Sequence, residues 1–193
     1  MPAKRRMSTD KLALLSLLTA LVAILAYLGG FIKIGGFASI SLTLIPVVIG
    51  AALCGAGAGG FLGLVAGGVF FLTADSVFWL GLSIPGTIIT VLVKGFLSGY
   101  CAGLVYKALE KANRYVAVIL SAIVCPIVNT GIFILGCFIF FLDTVESFAQ
   151  GAGMGLAAYL IIFFVGLNFV FELLSNIVLS PVIIRLINIK SRK

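Results

Sequence analysis

The chain has 193 residues, of which 62% are hydrophobic and 10% charged, with a formal net charge of +7. A soluble domain is roughly half apolar and a quarter charged, so this chain has too few charged side chains to cover a water-facing surface. It contains no histidine, which removes imidazole-based catalysis, intramembrane proteolysis by Ser-His or His-metal chemistry, and the commonest metal ligand.

These limits predict an all-α integral membrane protein and not an enzyme. One membrane domain, residues 1–193, uses the whole length, because no polar segment is long enough for a soluble domain. The short basic stretch "MPAKRRMSTD" leads into an apolar run about as long as a full span. That run, about residues 10–28, is read as a retained first helix and not a cleaved signal, since "AYLGG" is a poor cleavage site. Within it Ser16 and Ala20 form a small-xxx-small pair, with Ala13 and Ala23 nearby.

A glycine-rich outer loop follows, "GGFIKIGGFASIS", carrying Lys33, Phe37, Ser39 and Ser41. The second and third spans are read at about 42–54 and 57–73, broken at "CGAG". Gly55, Gly59, Gly63 and Gly67 recur every four residues, as do Gly95, Gly99 and Gly103 farther on. Such stripes let helices approach closely, either inside one bundle or against another membrane protein. The loop "ADSVFWLGLSIPG" holds Asp75 and the only tryptophan, Trp79. It and the 29–41 loop are read as movable covers or as interfacial anchors.

The fourth span, about 84–107, places Lys94 near the middle of an apolar run. A lone ammonium there costs roughly 2.5–3.5 kcal/mol on insertion scales. Thr87, Thr90, Lys94 and Ser98 recur at helical steps and form one polar stripe. The fifth span, about 115–141, carries "CPIVNTGIF", with Asn129 and Thr130 after Pro126. The sixth, about 154–187, carries Asn168, Glu172 and Asn176 at four-residue steps. Three polar rows should converge on a bundle interior or a wet cavity and not on lipid. Lys94 then serves as an ion-pair partner of Glu172 or as the counter-charge of an anionic ligand. The asparagines suit a ligand with hydroxyls, amides or a carboxylate. The cysteines Cys54, Cys101, Cys125 and Cys137 lie in apolar runs and read as small buried residues.

Eleven of the thirteen basic residues fall in three groups, at 4–11, 107–114 and 185–193. Six spans put all three on one face, which the positive-inside rule makes cytoplasmic together with both termini. The charge is therefore a topology signal and not a nucleic-acid footprint. The chain has no G-x-x-x-x-G-K-[ST] phosphate loop, no carboxylate-histidine relay and no visible inverted repeat. A binding subunit energised by partners fits this pattern. The competing classes are a standalone secondary carrier or small channel, and a purely structural membrane subunit.

Six short spans, the span-one small pair, "IPVVIGAALCGAGAGGFLGLVAG", "CPIVNTGIF" and "LNFVFELLSNIVLSPVI" together resemble the substrate-binding S components of energy-coupling factor (ECF) vitamin transporters, most closely the pantothenate type. The resemblance covers nearly the whole chain. It implies a plasma-membrane subunit that binds a vitamin from outside, docks on a transmembrane coupling subunit carrying two cytoplasmic ATPases, and reorients to deliver its cargo. No cofactor is implied in this chain; ATP is used by the partners. The resemblance also implies docking through Ser16 and Ala20, with Ser where Ala is usual. Lys94 would meet the pantothenate carboxylate, while Asn129 and Asn168 read its polar groups. Thr90, Ser39 and Glu172 complete the polar part of the expected site, and Phe37 and Trp79 the aromatic part. Riboflavin is the alternative substrate, with Phe37, Trp79 and Phe133 as stacking rings.

Overall fold

Capping side chains and glycines set where the helices begin and end. The computed structural model describes residues 8–29, 33–34, 38–39, 42–162 and 169–191. In chain order it runs α1 (Thr9–Gly29), β1 (Lys33–Ile34), β2 (Ala38–Ser39), α2 (Leu44–Cys54), α3 (Ala56–Phe70), α4 (Ala74–Leu82), α5 (Ile84–Leu109), α6 (Arg114–Phe140), α7 (Leu142–Gly151), α8 (Leu156–Tyr159) and α9 (Val170–Ser191). The two short strands are antiparallel, with Lys33 opposite Ser39 and Ile34 opposite Ala38.

Gly55 separates α2 from α3 at φ +102°, a conformation that a Cβ would strain. Ser83 caps α5 by accepting a hydrogen bond from the Gly86 N–H at 3.2 Å. Pro85 occupies the first turn, where its missing N–H is not needed. Asn113 caps α6 through Oδ1, which accepts from the N–H groups of Tyr115 (2.9 Å) and Val116 (3.2 Å). α6 then runs through the buried Pro126 without interruption.

Among the described residues three helices, α1, α5 and α6, are long and apolar enough to cross a membrane, or up to five if each of two bent pairs counts as one span. Those pairs are α3 with α4, bent by 86°, and α7 with the helix Leu156–Ile162, bent by 90°. α2 is apolar, but its 11 residues rise only about 16 Å against roughly 30 Å of hydrocarbon.

One expectation changes. The 74–86 stretch is not an open loop: residues 74–82 form α4, whose first turn carries Asp75 at the positive end of the helix. Thr73 precedes it in extended conformation, and the Ser76 hydroxyl donates back to the Thr73 carbonyl at 2.7 Å. Of the expected span 154–187, helix is described at 156–162 and from Val170 in α9, and residues 163–168 lie outside the described residues.

One apolar core joins Leu18 and Val22 of α1, Val47 of α2, Leu62 of α3, Ala102 and Tyr106 of α5 and Val118 of α6. Leu14, Leu53, Leu109 and Ile184 pack onto it. The start of α1, the ends of α2 and α5, and the start of α6 therefore meet at one end of the bundle. Cys54 Sγ lies 3.9 Å from the Lys11 carbonyl oxygen there. That end carries Lys11, Lys107, Lys111 and Arg114, with Arg185 one residue beyond Ile184. A second core at the opposite end holds Cys137, Phe141, Val145, Ala149 and Tyr159, with Trp79 and Phe148 against it. Cys125 and Cys137 are buried as read from the sequence, whereas Cys54 and Cys101 are only half-buried.

The glycine stripes face each other across α3 and α5. A Cβ on Gly59 would overlap the Gly99 carbonyl oxygen, and one on Gly63 would overlap that of Gly95. The same overlaps hold in reverse from Gly99 and Gly95. Gly103 abuts Ala56. These stripes are spent on internal packing, where backbone approach replaces a hydrophobic driving force that lipid cannot supply.

Candidate functional site

Lys94 sits midway along α5, one residue before Gly95, so the close approach of α3 on that face brings three glycine or alanine positions of α3 beside it. A cavity of about 130 Å³ opens here. Gly63, Ala66 and Gly67 of α3 and Val91, Lys94, Gly95 and Ser98 of α5 form two of its walls. The end of α1 adds Leu25, Ala26 and Gly29, and the start of α2 adds Leu44 and Val47, with Thr43 just before it. Phe70, Thr73 and Asp75 line it from the α3–α4 bend, while Asn129 of α6 and Glu172 of α9 reach it from the far side. The cavity lies on the side of the bundle away from the basic end: its walls use the last turns of α1 and α3, and the first turn of α2.

Three polar side chains from three helices meet in it. The Asn129 amide donates to Glu172 Oε2 at 3.4 Å, and both residues are buried. Lys94 and Glu172 lie within electrostatic range of each other, as opposite charges. The Lys94 ammonium also sits 4.8 Å from the centre of the Phe133 ring, a cation–π placement that partly replaces lost hydration. Phe133 meets Trp79 edge-to-face at 5.4 Å, and Trp79 meets Phe141 the same way at 5.2 Å. The α4 segment that bears Trp79 is braced from α5, where the Thr87 hydroxyl donates to the Trp79 carbonyl at 2.7 Å.

The cavity thus gathers Lys94, Asn129 and Glu172 of the expected residues. It does not include Thr90 or Trp79. Thr90 is buried against Gly136 of α6, and its hydroxyl has no hydrogen-bond partner among the described residues. Trp79 belongs to the aromatic cluster, where its ring stands steeply to those of Phe133 and Phe141. The stripe on α5 divides accordingly: Thr87 serves α4, Thr90 faces α6, and only Lys94 and Ser98 line the cavity. Asn168 and Phe37 lie outside the described residues; Ser39 contributes its backbone to β2. Ser16 and Ala20 are exposed on α1, the Ser16 hydroxyl folded back onto the Leu12 carbonyl at 3.0 Å.

Sequence reading missed the contributions of Thr43, Asp75 and the α1 wall. Asp75 carried a usable signal, being the only acidic residue between Asp10 and Glu110. The α1 and α2 residues carried none, since apolar cavity walls resemble apolar core.

The family model for the substrate-specific component of ECF transporters matches residues 10–187. The chain belongs to that family. This S component is accordingly a transport subunit and not an enzyme, an integral membrane protein with a small-molecule substrate and with coupling and ATPase partners. Comparison with curated proteins and with solved structures gave no match.

Proposed function

We propose that this S component captures pantothenate, or a solute of the same chemistry, for ATP-driven uptake across the plasma membrane. The observation that carries the reading is the cavity remote from the basic end, with Lys94, Asn129 and Glu172 converging on it. Six crossings, with α2 inserted among longer neighbours, put the basic end in the cytoplasm and the cavity toward the exterior. Cargo enters from outside; the subunit then reorients against a coupling subunit whose two ATPases supply the energy. Ser16 and Ala20, exposed on α1, form the close-approach face for that partner.

Lys94 supplies the counter-charge for a carboxylate, and Asn129 offers donor and acceptor atoms to an amide or hydroxyl. A flavin is the alternative substrate; it would need a ring face from Trp79 or Phe133, which meet edge-to-face with each other.

The test is a thermal-shift panel of water-soluble vitamins on the purified chain. A ligand at a hundred times its Kd stabilises the folded state by about 2.7 kcal/mol, which for a chain of this length is a shift of about 5–11 °C. Pantothenate should give that shift on the wild type, and Lys94→Met should abolish it relative to its own ligand-free midpoint. A full shift with riboflavin and none with pantothenate would refute the substrate.

A further inference from the structure

The polar groups at the cavity are layered by depth, and the directions of the helices set the order. α6 runs outward from the basic end, whereas α5 and α9 run inward toward it. A helical side chain leans toward the N-terminus of its own helix, so Lys94 on α5 leans outward. Its ammonium accordingly meets Phe133 and stands within electrostatic range of Cys137, one and two turns of α6 outward of Asn129. Glu172, in the first turn of α9, accepts the Asn129 amide at the middle level. Asn176 is one turn farther in. The antiparallel register that pairs Asn129 with Glu172 sets it at the level of Cys125, which lies beside Ser98 of the cavity wall.

Asn176 is buried, and neither its Oδ1 nor its Nδ2 has a hydrogen-bond partner among the described residues. The serines near its level are turned onto their own helices. Ser98 donates to the Gly95 carbonyl at 2.9 Å, Ser121 to that of Ala117 at 2.7 Å, and Ser180 to that of Asn176 itself at 2.9 Å. The Asn176 side chain leans toward the N-terminus of α9, hence back toward Glu172 and the cavity. An amide with both ends open is complemented by a group that donates and accepts at one atom. A hydroxyl does both; a carboxylate only accepts, and a hydrocarbon does neither.

We infer that the cargo lies with its acid outward on Lys94 and a hydroxyl inward, and that Asn176 is the binding residue for that hydroxyl. The inference rests on the proposed uptake reading and deepens it, fixing the direction of the ligand and the residue at its inner end. From the level of Phe133 to that of Cys125, α6 rises about 12 Å. The chain of pantothenate from carboxylate carbon to terminal hydroxyl oxygen spans about 10 Å when extended, so one molecule reaches both ends. Ser98 and Asn129 stand along its middle. An acid with a bare hydrocarbon inner end leaves the Asn176 amide unpaired. A diacid sets its second carboxylate against Oδ1 and the Glu172 carboxyl group.

Three ligands separate the two ends, with binding to the purified full-length chain followed by calorimetry. They are pantothenate, its analogue lacking only the terminal hydroxyl (the β-alanine amide of 2-hydroxy-3,3-dimethylbutanoic acid), and panthenol, in which a hydroxymethyl group replaces the acid. The wild type should bind the deoxy analogue and the alcohol each roughly tenfold or more weaker than pantothenate. Asn176→Leu should bring pantothenate and the deoxy analogue to within about twofold of each other, while the preference for acid over alcohol persists. Lys94→Met should do the reverse, erasing the acid preference and keeping the hydroxyl preference. Asn176→Ala repeats the first comparison with a smaller side chain, in case leucine disturbs the fold. A hydroxyl preference undiminished in the Asn176 variants, or an equal fall for all three ligands, overturns the role of Asn176 and leaves the uptake reading standing. Loss of the acid preference in those variants overturns the orientation. If none of the three binds the wild type, the ligand class of the uptake reading is refuted, and this inference with it.

Discussion

Gly99→Ala is the most informative single change in the packing of this molecule. A Cβ at position 99 would overlap the carbonyl group of Gly59 and come within 2.8 Å of Val47 Cγ1. The first obstacle is backbone and cannot rotate away, so α3 must move off α5. Gly99 does not line the cavity, which keeps the effect on stability apart from any effect on binding. Adding a methyl to a closed interface costs about 1–3 kcal/mol, a fall of about 2–12 °C in melting temperature for a chain of this length. Gly131→Ala on α6 is the paired control, because nothing lies within 4 Å of a Cβ there. In a helix that change gains about 0.5–1 kcal/mol from the unfolded chain's lost freedom. The two glycine-to-alanine changes should therefore move the melting temperature of the detergent-purified protein in opposite directions. Equal, small shifts for both would refute the close α3–α5 contact.

Glu172→Gln should lower the melting temperature by several degrees, because the charge opposite Lys94 is lost, while affinity for an acidic ligand does not fall. An unchanged melting temperature would show that Glu172 does not balance Lys94. Asn176 is 1% exposed, and neither polar atom of its side chain has a hydrogen-bond partner among the described residues. Burying an unsatisfied amide costs about 1–3 kcal/mol, so Asn176→Leu should raise the melting temperature by about 2–12 °C. A fall instead would mean that Asn176 makes hydrogen bonds that hold the fold.

Polar residues in apolar surroundings were the legible part of the site. Lys94, Asn129 and Glu172 stand out because lipid is an expensive place for them, and the helices do bring them to one cavity. Position along a stripe was less informative. Thr90 shares the period of Lys94, yet the crossing of α6 claims its face at Gly136. The glycine repeats announced close approach but not the partner, since a stripe serves a neighbour in the same chain as well as one in another. The long helices were readable from unbroken apolar length. α4 and α7 were not, because nine or ten residues flanked by glycine and proline carry too few periods to separate helix from loop. The apolar walls from α1 and α2 left no mark, because cavity and core use the same side chains.

The decisive measurement is uptake of radiolabelled pantothenate into liposomes containing this S component, with and without the coupling subunit and its two ATPases. Accumulation that requires all the partners and internal ATP, and that disappears with Lys94→Met, is the expected result. Transport by the chain alone, or ATP-dependent uptake that ignores Lys94, would contradict the assignment of this cavity to the cargo.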